Sequence, residues 1–157
     1  MSKEDTHDLL EFLKPFDAET VELAMWLRDF IWDLYPECNE LIYDNYNAVA
    51  VGWSPTLTLG DTFCSIAVYN NKNVHFGFYW GANLADPKGL LLGNGKQYRY
   101  IRVANKEEFP ARYIQELLNE AQVNSLAGAK NLEAAPKGTT VVKSISPKKK
   151  RPLSKPA

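Results

Sequence analysis

The sequence predicts an α+β fold in which helices pack on an antiparallel sheet of four or five strands. Three observations carry that expectation. Apolar residues recur at helical spacing up to about residue 47. Between Ala48 and Val103 the period shortens to two, and β-branched and aromatic residues take over. Helical spacing then returns after Pro110.

The first helix is expected over about Glu4 to Leu13, ending before Lys14-Pro15 because proline disfavours helical dihedrals in the residue before it. Asp17 offers an N-cap to a second helix from Ala18 to about Tyr35, and Glu19 meets the positive end of its dipole. Leu23, Leu27, Phe30, Ile31 and Leu34 form its buried stripe. Pro36 ends it and suits the first turn of a third helix through about Asn47, with Leu41 and Ile42 inward. Four strands follow, over Ala48 to Trp53, Thr62 to Tyr69, Asn73 to Tyr79 and Tyr98 to Val103. The turn-rich cluster Asn70 to Asn73 makes a hairpin of the middle pair. A closing helix runs from Pro110 to about Leu126, with Ile114, Leu117, Leu118 and Ala121 on its apolar face.

The 157 residues suit one compact domain, and 45% hydrophobic with 24% charged residues is an ordinary globular balance. No apolar run reaches the roughly 18 residues needed to span a bilayer, and acids near the start argue against a secretory leader. The expected location is therefore cytoplasmic. Cys38 and Cys64, without metal-ligand spacing, read as reduced, buried hydrophobes.

Net charge of −1 conceals an asymmetry: residues 1–44 carry −9, residues 45–135 carry +1, and residues 136–157 carry +7 with no acid at all. The domain is expected to occupy residues 1–135. Residues 136–157, with four prolines and no sustained apolar period, are expected to form a disordered basic tail. Lys148, Lys149, Lys150 and Arg151 in that tail could attract nucleic acid through counterion release, although short lysine runs commonly only solubilise.

The stretch GLLLGNGKQYRYIRV, Gly89 to Val103, raises the question of a phosphate cradle. A P-loop fails because Gln97 follows Gly95-Lys96 and Leu90 stands where the first glycine belongs. A dinucleotide fingerprint fails because Tyr98 replaces the third glycine, and a strand follows where both motifs need a helix. A turn begun at Asp86 and closed at Gly93 and Gly95 explains the glycines; an anion loop using Lys96 and Arg99 is the alternative.

Three segments, Gly81 to Val103, Glu40 to Thr56 and Trp26 to Glu40, resemble the YdhG-like domain of unknown function 1801 over about residues 16–125. The resemblance implies a YdhG-like, frataxin-like sandwich and a non-enzymatic binding or carrier domain, since some family members are described as intracellular iron chaperones. It supplies no precedent for a catalytic site. Independently, Glu19, Glu22, Asp29 and Asp33 align along one side of the second helix, where a weakly bound ferrous ion would relieve their repulsion. The plainer alternative is a solvated helix face. The expected partners are thus a metal ion or a metal-accepting protein, with nucleic acid on the tail as the second reading.

Overall fold

A computed structural model of the chain describes residues 3–150. Among these, three α-helices lie against a six-stranded open sheet: α1 (His7–Leu13), α2 (Ala18–Leu34), β1 (Asn39–Asp44), β2 (Val49–Ser54), β3 (Cys64–Asn70), β4 (Asn73–Phe78), β5 (Arg99–Val103), α3 (Ala111–Gly128) and β6 (Thr140–Ile145). The strand order is β5-β4-β3-β2-β1-β6. Neighbours β1 to β5 pair antiparallel, whereas β6 pairs parallel with β1, so the sheet is mixed. None of the described helices is long and apolar enough to cross a membrane.

Three sequence expectations are corrected here. The sheet is six-stranded and mixed instead of four- or five-stranded and antiparallel, because β6 adds in parallel to the edge of β1. The third helix does not form, because residues 39–44 are strand β1. Ile42 joins the core cluster while Leu41, equally buried, points to the opposite face. A strand buried on both faces shows no alternation, so a short apolar run of this kind reads as helix or strand alike. The disordered tail is likewise corrected over its described part. Thr140–Ile145 is β6, and the β-branched run Thr139 to Val142 meets the edge of β1. A basic, proline-rich composition masks that run; Arg151 lies outside the described residues.

The remaining elements follow the periodicity. Asp17 caps α2, its side chain accepting from the Thr20 amide at 2.8 Å, a contact worth about 1 kcal/mol. Leu27 and Ile31 are fully buried under that helix, and Ile114 and Leu118 under α3. These side chains form one cluster with Val49, Val51, Ile66, Phe76, Phe78 and Ile101. All three helices therefore cover one face of the sheet. The alternate strand residues point away from them.

A buried ion pair ties the layers together. Arg28 of α2 donates from Nε to Glu40 Oε2 at 2.6 Å and from Nη2 to Oε1 at 3.0 Å. The same guanidinium reaches the carbonyls of Lys3 and Asp5, while Thr140 of β6 donates to Glu40 Oε1 at 2.8 Å. One pair thus anchors the N-terminal segment, α2, β1 and β6. Cys38 and Cys64 are free and buried, and burial pushes the Cys38 thiol up to about 12.

Candidate functional site

The face without helices is set by register. Leu41, Gly52, Ser65, Gly77 and Tyr100 lie in one row across β1 to β5, and Tyr43, Ala50, Ala67, His75 and Arg102 in the next. Small residues occupy the middle of both rows; His75 and Tyr100 lie on the β5 side, and Tyr43 stands at the β1 end. The Tyr69 and His75 rings are 4.7 Å apart, and His75 stacks on Tyr100 at 4.4 Å with only 6° between planes. Tyr98 stacks on Tyr100 at 5.8 Å, and the Arg102 guanidinium lies 5.6 Å from the Tyr100 ring centre. No acidic side chain falls in these two rows.

The row stays neutral or cationic around neutral pH. Burial, reinforced by the Arg102 charge, lowers the His75 imidazole from its ordinary 6.5. Burial likewise raises the Tyr69 and Tyr98 phenols, so both remain protonated donors. The site pairs aromatic rings with a fixed positive charge.

Glycine makes room for this arrangement. A Cβ at Gly77 would sit 2.2 Å from the Tyr98 hydroxyl. Gly77→Ala is expected to displace Tyr98 and cost about 1–3 kcal/mol, read as a lower urea midpoint. An unchanged midpoint would show that the ring moves aside freely.

The acidic stripe does not converge. Glu19 and Asp33 stand fourteen positions apart on α2, about 21 Å along the axis, too far for one ion. Asp33 pairs with Lys3 at 2.5 Å and Glu22 with Lys106 at 3.9 Å. Glu19 and Glu22 instead rim a groove of about 510 Å³ over Trp26, shared with Lys72, Lys106 and Glu107. Asp29 is solvent-exposed, and among the described residues no group of three His, Cys, Asp or Glu could hold a metal ion.

The glycine-rich loop is held by its own groups. Asp86 accepts from the amides of Leu90 at 3.1 Å and Leu91 at 3.0 Å and from the Tyr113 hydroxyl. Arg99 donates to the carbonyls of Gly95 at 2.5 Å and Tyr98 at 3.0 Å. Gly93 has φ +110 with its Cβ position 3.2 Å from the Tyr98 carbonyl, so only glycine fits easily. Gly95 faces open space, and Lys96 is exposed. This is a fastened turn with a single outward lysine.

Of the basic run, Lys149 is largely buried against Asp44 at 3.0 Å, while Lys148 and Lys150 are exposed beyond the end of β6. The sequence places Tyr98, Tyr100 and Arg102 on one face of their strand and His75 on one face of β4. It does not say that these faces coincide, because cross-strand register is set by the fold. No family model matches the chain, and no curated protein or solved structure is matched by it.

Proposed function

We propose that this chain is a non-enzymatic binding domain that takes single-stranded nucleic acid on the helix-free face of its sheet. The observation that carries the reading is the His75–Tyr100 stack with Arg102 beside it, continued by Tyr69 and Tyr98 on a face whose paired rows hold no acid. Every base has a π-face, so a base would extend this column of rings at an open end, beside the Arg102 cation, in sequence-tolerant fashion. Single strands leave those faces accessible, whereas a duplex hides them. Lys148 and Lys150 follow β6, at the sheet edge opposite β5, where they would meet the phosphates of a strand that crosses the sheet. Basic residues beyond Ala135 then assist the sheet instead of acting alone.

The test is fluorescence anisotropy with short labelled single-stranded RNA and DNA at low salt, using the full chain. Tyr100→Ala should weaken binding roughly tenfold or more, since one base stack is worth about 1–3 kcal/mol. Arg102→Gln should also reduce the salt slope by about one. Affinity unchanged by Tyr100→Ala but lost in the Lys148→Gln, Lys150→Gln variant would overturn the sheet reading in favour of the tail. Equal competition by duplex would overturn it as well, because charge alone would then account for binding.

A further inference from the structure

We infer that a second site exists at the end of the sheet, a cavity that takes a small organic cation. The cavity, about 310 Å³, lies between the turn at Leu59–Asp61, the turn at Gly81–Asn83 and the C-terminal turns of α3. It is separate from the aromatic row.

Three features give it one sign. Asp61 lines it, and among the described residues no lysine, arginine or histidine does. Among the described residues only Oδ2 of that carboxylate is engaged, accepting from Thr56 Oγ1 at 2.7 Å. The wall formed by Asn124, Ser125 and Gly128 belongs to the end of α3, where carbonyls without helical partners carry the negative end of the dipole. The last turn has no basic residue to offset it. Glu120, next to the lining residue Ala121, adds a further carboxylate, fixed by the Ala85 amide at 3.3 Å.

Trp80 supplies the complementary surface. Its Nε1 donates to the Gly60 carbonyl at 2.8 Å, which fixes the indole although the residue is 42% exposed. With the N–H occupied, the indole offers its π-face. Indole is the strongest of the side-chain partners for an ammonium group. Phe63 and Leu84 close the apolar side, and the side chains of Asn83 and Asn124 line the cavity as polar groups. An apolar wall, an aromatic face and a converging negative potential together match an alkylammonium ion. A neutral molecule would use the wall and waste the potential.

The probe is choline, and the control is its uncharged isostere 3,3-dimethylbutan-1-ol, each titrated into the full chain. The readout is the indole N–H resonance of Trp80, assigned by its disappearance in Trp80→Leu. A saturating shift with choline, and at least tenfold weaker response to the isostere, is the expected result, corresponding to about 1.4 kcal/mol. Asp61→Asn keeps an oxygen for Thr56 and should weaken choline about tenfold. Asn124→Lys puts a cation on the cavity wall at a solvent-exposed position and should abolish the shift while leaving the fold intact. Equal shifts from both probes, no shift from choline, or full binding in Asn124→Lys would each overturn the inference.

Discussion

Replacing Arg28 with alanine is expected to lower stability by about 3–5 kcal/mol, the typical result of leaving one partner of a buried ion pair uncompensated. Arg28 and Glu40 are 1% and 0% exposed, so water cannot take over the lost contacts. Burial pushes the Glu40 carboxyl above the usual carboxylate range, and the Arg28 guanidinium and Thr140 hydroxyl oppose that push. Without Arg28 the opposition weakens, and Glu40 takes up a proton rather than remain a buried charge. The pH dependence follows from this. Between the unfolded carboxylate value of about 4.3 and the raised folded value, the native state holds more protons than the unfolded chain. Stability of the variant therefore falls as pH rises through that window and recovers towards pH 5. Arg28→Met, which keeps the apolar stem, should show the same recovery from a smaller deficit. Urea midpoints of both variants at pH 7 and pH 5 decide the matter. A gap from the parent chain that stays constant between the two pH values would mean that Glu40 is not the group left stranded.

The pair also shows what a sequence can and cannot disclose here. Helices α2 and α3 were legible because their apolar residues repeat within a single element, and Asp17 announces its cap locally. Strands β2 to β5 were legible for the same reason, through alternation around the Asn70–Asn73 turn. Contacts between distant segments leave no such local trace. Arg28 and Glu40 are twelve positions apart, and Glu40 meets Thr140 across one hundred. The aromatic row was half legible. Tyr100 and Arg102 alternate visibly, but their alignment with His75 depends on the β4–β5 register, which a loop of twenty residues between the strands does not specify. The acidic stripe shows the opposite limit: one helix face is readable, yet sharing a face does not bring four carboxylates to one point.

Ending the chain at residue 135, the boundary that composition suggests, is expected to destabilise the domain by about 2–5 kcal/mol. That cut removes β6 and opens β1 along its whole edge. Asn39, 0% exposed, loses its donor contact to the Pro136 carbonyl at 2.8 Å and its acceptor contacts from Thr139 at 3.1 and 2.7 Å. Glu40 loses Thr140, and Asp44 loses Lys149. Each buried group left without a partner costs about 1–3 kcal/mol, reduced where water reaches the new edge. The exposed strand is also a template for pairing with a second copy. A lower urea midpoint together with concentration-dependent association is therefore the expected outcome, and coincident midpoints with a monomeric truncated chain would show that β6 contributes no net stability. The consequence reaches the binding experiment. A truncated chain that fails to bind nucleic acid would confound lost lysines with a damaged sheet, because the same segment supplies both. Charge substitutions at exposed Lys148 and Lys150 separate the two, since neither side chain is buried and β6 stays in place.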